Sequence, residues 1–259
     1  MKPDISEFSY GYALTEALVT DTGIPVIAAP LFPSLIEEGR QGGYDVAIPF
    51  LGTLLFLQFK LSDRMIRDTA MEVVQGNLIT PFYRMHIRAS RHSQQHQMLL
   101  DLESDGGLVF YAAPKFHEPS ELNASYLERK MVERSLFLKP TAVGAFTDDD
   151  PHHVSFRNGY PICICSKVRV MNERPDDSHK KFLFELQQRA TNQRYDYAQL
   201  AQVAETMARI VLSRQVPTRL SSDAVGQLRQ QNPLARIQYL SRTFFDCEAL
   251  VIRPRPELG

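Results

Sequence analysis

The stretch that decides the fold is Leu54-Leu55-Phe56-Leu57-Gln58-Phe59-Lys60. Its first four residues are apolar and typical of a buried strand, whereas polar and apolar side chains alternate over its last four. Because successive side chains of a strand point to opposite faces, Gln58 and Lys60 share one face, and Leu57 and Phe59 share the other. The stretch therefore predicts a strand that begins in the core and ends among polar groups.

A second run rich in strand-forming residues, Tyr44-Asp45-Val46-Ala47-Ile48, precedes this stretch, and a connection containing Gly52-Thr53 joins the two. This order predicts an antiparallel hairpin. Side chains on paired strands of a hairpin face each other across the ladder, so we expect Asp45 to approach Gln58 and Lys60.

Farther along the chain, helical and strand patterns alternate. Residues 6–20 predict a helix capped by Ser6. Asn158-Gly159 predicts a tight turn between two short strands. The other patterns predict helices over 93–103, 119–134, 180–190, 197–214 and 233–241, and strands over 108–113, 136–138, 154–156, 160–166 and 249–252. We therefore expect a mixed α/β (α+β) fold, with residues 1–170 forming a core and residues 171–259 forming a mainly helical C-terminal extension packed on the same domain.

Composition narrows the class of protein. The net charge is −1 and the pI is about 6.7, so the chain lacks the overall basic character of histone-like binders, and any contact with nucleic acid must be local. The sequence predicts neither a signal peptide nor a membrane span, and we expect a cytoplasmic protein with no membrane partner. Cys163 and Cys165 lie in an apolar run, where buried strand thiols are the simplest interpretation.

Asp45, Gln58 and Lys60 together suit metal-assisted hydrolysis of a phosphodiester. A hard cation, Mg²⁺ or Mn²⁺, would take the Asp45 carboxylate, the Gln58 side-chain oxygen and the backbone carbonyl of Phe59. Such an ion polarises the phosphoryl group and acidifies a bound water. Lys60 would orient that water or offset the developing negative charge.

The spacing of Asp45 and Gln58-x-Lys60, behind an N-terminal helix and the acidic pair Glu37-Glu38, resembles the PD-(D/E)XK restriction-endonuclease-like superfamily. The likeness is to Mrr-like branches, in which Gln replaces the acidic residue before x-Lys. It covers about residues 6–115, and Tyr44 stands where the family has proline. The resemblance implies a restriction-endonuclease-like mixed β-sheet flanked by helices over residues 1–170. It also implies a metal-dependent DNA endonuclease of restriction or anti-phage defence.

The same resemblance implies a further acidic residue, because the first helix of that superfamily often supplies a glutamate. Glu16 would serve from the predicted helix, while Glu37 and Glu38 are rival acidic ligands. The sequence does not choose among them.

Basic residues concentrate at 84–92. On a strand, Arg84 and Arg88 would line one face, and with Arg91 they would suit backbone phosphates of DNA. Solvated arginines on an exposed strand edge are the alternative. Among the histidines of the chain, His92 and His96 predict a solvated helix face, and His152-His153 predict an exposed loop.

A second function stays open beside the nuclease. Gln58 in place of a carboxylate removes one negative charge from the predicted metal site, which weakens cation binding. A nuclease fold of that kind would serve as a non-catalytic subunit or interaction protein of a larger nucleic-acid or defence complex. DNA, a partner protein subunit and self-association are therefore the partners that the sequence leaves open.

Overall fold

The computed structural model describes residues 1–22, 52–76, 78–146, 148–214 and 232–252. A 3₁₀ turn spans Pro175–Asp177 and a π-helical turn spans Ser241–Phe245. The helices are α1 Glu7–Thr20, α2 Met71–Val74, α3 Gln95–Ser104, α4 Pro119–Leu127, α5 Pro140–Val143, α6 Ser178–Asn192, α7 Tyr197–Ser213 and α8 Pro233–Leu240. The strands are β1 Thr53–Phe59, β2 Ser62–Met65, β3 Phe82–Ile87, β4 Leu108–Pro114, β5 Ser135–Leu138, β6 His152–Phe156, β7 Cys163–Cys165, β8 Arg169–Val170 and β9 Glu248–Ile252.

The described strands form two sheets. The first has the order β5-β4-β1-β9, and the second has the order β2-β3-β6-β7-β8. In the first sheet β1 runs parallel to β4 and antiparallel to β9, while the second sheet is antiparallel throughout. The expectation of a mixed α/β fold with sheets flanked by helices is confirmed. Across the described residues, the chain contains no helix both long and apolar enough to cross a membrane.

Strand β1 lies inside the first sheet, with a neighbour on each edge. Leu55 to Phe59 pair with β4, and Thr53 to Leu57 pair with β9. A strand has only two edges, so no edge is free between Leu55 and Leu57, where the predicted hairpin needed one. The hairpin prediction is therefore wrong for this part of β1, and its other half, residues 44–48, lies outside the described residues.

The two faces of β1 pack into different cores. Leu55 and Leu57 face α1 and α6, in a cluster that also holds Leu14 and Phe182. Leu54 and Phe56 face the opposite way, toward α3, α7, α8 and strands of the second sheet. All four leucine and phenylalanine side chains of this segment are buried. Burial on both faces explains why the first half of β1 is continuously apolar.

Most predicted elements form close to their predicted bounds. Ser6 caps α1 by accepting a hydrogen bond from the Ser9 N–H at 2.9 Å. Gly159 has a positive φ of 81° in the turn between β6 and β7, as the Asn-Gly pair predicts. Helix α4 ends at Leu127, well before residue 134, because the chain turns there through Arg129, which has a φ of 55°.

The predictions for His96 and His152 are wrong, because both side chains are buried. The Nε2–H of His96 donates to the Gly144 carbonyl at 2.8 Å, and its Nδ1 lies 2.7 Å from the Tyr111 hydroxyl. Burial lowers the pKa of His96. His152 lies on β6 rather than in a loop, and its ring stacks on Phe146. Both histidines belong to packed faces that the local sequence did not reveal.

The thiols of Cys163 and Cys165 are buried on β7, as predicted. Burial raises the pKa of Cys163 to about 11 and that of Cys165 to about 12. Both side chains are therefore neutral thiols near pH 7, which makes them poor nucleophiles and poor metal ligands.

A buried ion pair ties α2 to the second sheet. Arg84 on β3 donates to both carboxylate oxygens of Glu72, from Nε at 2.8 Å and from Nη2 at 2.7 Å. The Ser155 hydroxyl on β6 donates to the same carboxylate at 2.7 Å. Burial alone acts to raise the pKa of Glu72, but the hydrogen bonds from Ser155, the Glu72 backbone and Arg84 outweigh it. The pKa of Glu72 therefore lies below its ordinary value of 4.5.

This lowered pKa gives the fold an acid-sensitive contribution to stability. A carboxyl whose pKa is depressed by folding stabilises the native state fully above its unfolded pKa, and that contribution is lost as the pH falls through the folded pKa. We expect the free energy of unfolding in urea to fall below about pH 4.5. The Glu72→Gln variant should show a flatter decline over the same range, whereas an identical decline would place the acid-sensitive groups elsewhere.

Candidate functional site

The polar end of β1 is the centre of the candidate site. Gln58 is buried, with only 1% of its surface exposed, and it lies opposite Tyr111 of β4. Lys60 follows the strand, and its backbone N–H donates to the Ala112 carbonyl at 2.9 Å, so β4 fixes the backbone at this point. Strand β9 pairs with β1 only as far as Leu57. The edge beyond Leu57 is therefore open to other groups.

The chain that leads into β9 fills this edge with Asp246. One carboxylate oxygen of Asp246, Oδ2, lies 3.6 Å from Lys60 Nζ and 3.4 Å from Gln58 Nε2. Gln58 Nε2 also lies 3.5 Å from the Phe245 carbonyl oxygen. Gln58 is thus covered by residues from the C-terminal part of the chain, and its amide nitrogen faces two acceptors.

Helix α1 forms the other side of the site. Gly11 lies so close to Phe59 that a Cβ at this position would sit 2.8 Å from the Phe59 ring. This contact brings the first half of α1 beside the end of β1. A cleft of about 310 Å³ opens between α1 and the segment leading into β9. Its lining residues are Glu7, Phe8, Gly11, Tyr12, Thr15, Phe59, Arg242, Asp246, Cys247 and Glu248.

Glu7 places a carboxyl group at this cleft. Desolvation raises the pKa of Glu7, the positive charge of Lys60 opposes that rise, and the negative charge of Asp246 adds to it. Arg88 also acts on Glu7 by lowering its pKa. These influences mean that Glu7, Lys60, Asp246 and Arg88 share one electrostatic environment at the end of β1.

A second ion pair borders the cleft beside Asp246. Arg242, in the π-helical turn, donates to Glu248 from Nε at 2.9 Å and from Nη2 at 2.6 Å. The two side chains are largely buried. This pair joins the π-helical turn to the first residue of β9 and so supports the backbone on either side of Asp246.

The structure brings together some of the predicted site residues and separates others. Gln58, Lys60 and the Phe59 backbone lie at the site. Asp45 and the Glu37-Glu38 pair fall outside the described residues. Glu16 lies on α1 but does not line the cleft, and its Oε1 lies 3.4 Å from the Thr20 hydroxyl. The glutamate that α1 brings to the cleft is Glu7.

The three arginines predicted to bind nucleic acid have different surroundings. The Arg84 guanidinium is held by Glu72 and is mostly buried, so the prediction of a phosphate contact is not supported by its position. Arg88 is exposed, close enough to the site to influence Glu7. Arg91 is exposed, and its Nε lies 3.1 Å from His92 Nε2. Arg88 is the basic residue of this group that the fold associates with the cleft.

The donor atoms at the site suit a hard cation. Carboxylates of Glu7 and Asp246 and the Gln58 amide are oxygen-bearing groups of the kind that Mg²⁺ and Mn²⁺ prefer. No cluster of three or more His, Cys, Asp or Glu side chains arranged to hold a metal occurs among the residues that the structure describes.

Sequence reasoning missed Glu7 and Asp246. The acidic residue at the start of α1 was visible in the sequence, but only the Gly11–Phe59 contact reveals which end of the helix meets β1. Asp246 lies 186 positions after Lys60, and no local pattern connects them. Only the pairing of β9 with β1 brings the two together.

Comparisons of the chain with family models, with curated proteins and with solved structures found no match.

Proposed function

We propose that the protein is a metal-dependent DNA endonuclease, with its active site at the polar end of β1. The proposal is carried by one observation: Lys60 and Gln58 end a central strand beside a cleft, where the carboxylates of Glu7 and Asp246 also lie. A positive charge beside oxygen donors suits phosphodiester hydrolysis, because it offsets the negative charge that develops on the phosphoryl group. The resemblance of Asp45 and Gln58-x-Lys60 to the PD-(D/E)XK superfamily supports the same conclusion.

Each residue has a separate task in this proposal. Asp45, the Gln58 side-chain oxygen and the Phe59 carbonyl would hold Mg²⁺ or Mn²⁺, which supplies Lewis-acid activation of the phosphodiester. Lys60 donates hydrogen bonds to the attacking water or to the phosphoryl oxygens and offsets the negative charge that develops there. Glu7 is suited to accept a proton, because its raised pKa makes it a stronger base than an ordinary glutamate.

The substrate contacts follow from the same geometry. Arg88 is exposed, and its positive charge lowers the pKa of Glu7, so we propose it as the contact for a DNA phosphate. The formal net charge of −1 limits attraction to the DNA backbone to such local groups. A role in restriction or anti-phage defence in the cytoplasm is the biological setting that the family resemblance suggests.

The burial of Gln58 supports a second candidate function. Phe245 and Asp246 cover this side chain, which leaves 1% of its surface exposed. To bind Gln58, a metal ion must exchange one of its bound waters for the side-chain oxygen, and a covered side chain is hard for the ion to reach. The alternative is therefore a nuclease-fold subunit that has lost catalysis and serves in a larger nucleic-acid or defence complex.

Cleavage assays separate the two functions. Purified protein is incubated with supercoiled plasmid, linear duplex and single-stranded DNA, with Mg²⁺, with Mn²⁺ and with EDTA. We expect cleavage with Mg²⁺ or Mn²⁺ that EDTA abolishes and that the Asp45→Ala variant lacks, because the predicted metal site then loses its carboxylate. The Asp177→Ala variant removes an exposed carboxylate in the 3₁₀ turn, which does not line the cleft, and is the matched control. Absence of cleavage by folded wild-type protein on every substrate would favour the non-catalytic subunit.

A further inference from the structure

The backbone at Asp246 has an uncommon conformation. Its φ of 52° and ψ of 43° lie in the left-handed region, which side-chain-bearing residues adopt at a cost. It directly follows the π-helical turn Ser241–Phe245, a rare local structure often found at functional sites. Residues held in sparsely populated conformations persist when the surrounding structure determines them, and they concentrate at active sites.

This conformation separates two neighbouring side chains. Phe245 is fully buried in the core cluster that also holds Tyr111 and Ala249, whereas the Asp246 side chain is 44% exposed at the cleft. The backbone N–H groups of Asp246 and Cys247 both donate to the Ser241 carbonyl, which closes the turn. The turn therefore anchors its hydrophobic residue and presents a carboxylate at the end of β1.

The turn itself does not require a carboxylate. Glycine adopts the left-handed region without strain, and asparagine adopts it about as readily as aspartate. The contacts of Asp246, in contrast, use its charge, because Oδ2 lies between Lys60 Nζ at 3.6 Å and Gln58 Nε2 at 3.4 Å. One oxygen atom thus bridges the two residues that the proposed function places at the phosphodiester.

We propose that Asp246 is the positioning residue of this site. Its carboxylate, which lines the cleft, holds the Lys60 ammonium group beside it and orients the Gln58 amide with its nitrogen toward Asp246. The π-helical turn and β9 therefore complete a site that β1 begins, and the C-terminal part of the chain is needed for the chemistry at residues 58–60. This inference rests on the proposed endonuclease function and deepens it by adding a residue that the sequence motif does not contain.

The Asp246→Asn variant tests the inference, because it keeps the size of the side chain and its tolerance of the left-handed region but removes the charge. We expect kcat for DNA cleavage to fall by about 10- to 100-fold while KM changes little, since displacement of a catalytic group affects the transition state more than binding. The Asp246→Gly variant should lose as much activity, yet its melting temperature should equal or exceed that of the wild type because the backbone strain is relieved.

A measurement on Lys60 itself makes the test independent of catalysis. The ¹⁵Nζ resonance of a lysine ammonium group is observed when an ion pair slows its proton exchange. We expect a resolved Lys60 signal in the wild type and its loss or marked shift in Asp246→Asn. The matched control is Asp177→Asn, which removes the charge from another aspartate–lysine pair, the one with Lys180 at 3.0 Å. It should change neither the Lys60 signal nor kcat.

The outcomes separate the inference from the proposed function. Wild-type cleavage with unchanged kcat in Asp246→Asn would overturn the positioning role and leave the endonuclease intact. A wild-type protein that cleaves no DNA, but whose Lys60 signal depends on Asp246, would overturn the endonuclease while supporting the positioning contact. An unchanged Lys60 signal in Asp246→Asn would overturn the contact whatever the activity.

Discussion

Replacement of Lys60 by methionine is expected to lower kcat for DNA cleavage by about 10²–10³-fold, the effect typical of removing one group that stabilises charge in a transition state. Methionine keeps much of the apolar stem, and the Lys60 side chain is only 15% exposed, so the packing around the end of β1 should survive. The partner, Asp246, is 44% exposed and remains hydrated after the replacement. We therefore expect thermal unfolding to change far less than activity.

A matched lysine distinguishes this effect from a general loss of positive charge. Lys180 lies in the first turn of α6, is exposed and pairs with Asp177, so Lys180→Met removes the same charge outside the cleft. Its cleavage rate should equal that of the wild type within about twofold. If Lys60→Met cleaves DNA as fast as the wild type, then Lys60 is not a catalytic residue and the active site must lie elsewhere.

The sequence predicts local features of this fold well. The apolar run of β1, the cap of α1 at Ser6 and the Asn158-Gly159 turn each depend on residues within a few positions of one another. Their structures follow from side-chain alternation, hydrogen bonding at a helix end and the positive φ that glycine accepts. The prediction that Gln58 and Lys60 share one face at the end of a strand follows from the same local reasoning.

The partners of β1 could not be read from the sequence. Residues 249–252 predict a buried strand. An apolar strand can pair with any unpaired edge of a sheet, so its pairing with Thr53 to Leu57 depends on the whole fold. The predicted hairpin placed Asp45 beside Gln58. Among the described residues, the aspartate that contacts Gln58 is Asp246. The contact between Gln58 and Asp246 joins residues 188 positions apart, and it leaves no periodic trace in the chain.

The position of an acidic residue on a helix is equally non-local. Glu7 and Glu16 both lie on α1, nine positions apart, which places their backbones about 13.5 Å from each other along the helix axis. Gly11 decides between them, because its missing side chain lets the first half of the helix approach Phe59. Nothing in the spacing of the acidic residues alone reveals that approach.

Replacement of Arg84 by methionine is expected to destabilise the protein by about 3–5 kcal/mol, because it leaves the Glu72 carboxylate buried without its positive partner. Glu72 is 2% exposed and Arg84 is 17% exposed, so water cannot take the place of the guanidinium. The measurement is the free energy of unfolding in urea near pH 7. Arg129→Met is the control, because Arg129 pairs with Asp21 on the surface and should contribute less than about 1 kcal/mol.

A double replacement identifies the source of that loss. Glu72→Leu combined with Arg84→Met removes both charges, and buried ion pairs replaced by apolar groups of similar size often lose little stability. We expect the double variant to recover most of the loss, except for about 1 kcal/mol because the Ser155 hydroxyl no longer has its acceptor.

These variants also test the sequence-based role of Arg84. If Arg84 contacted a DNA phosphate, Arg84→Met would weaken DNA binding without changing the free energy of unfolding. The bidentate pair with Glu72 predicts the opposite result, because a guanidinium that already donates to both oxygens of a buried carboxylate has little capacity left for a phosphate. The double variant should then bind DNA as the wild type does, since the exposed Arg88, which lowers the pKa of Glu7, is unchanged. That result would remove Arg84 from the proposed DNA contacts and leave Arg88, which influences the pKa of Glu7 at the cleft, as the proposed one.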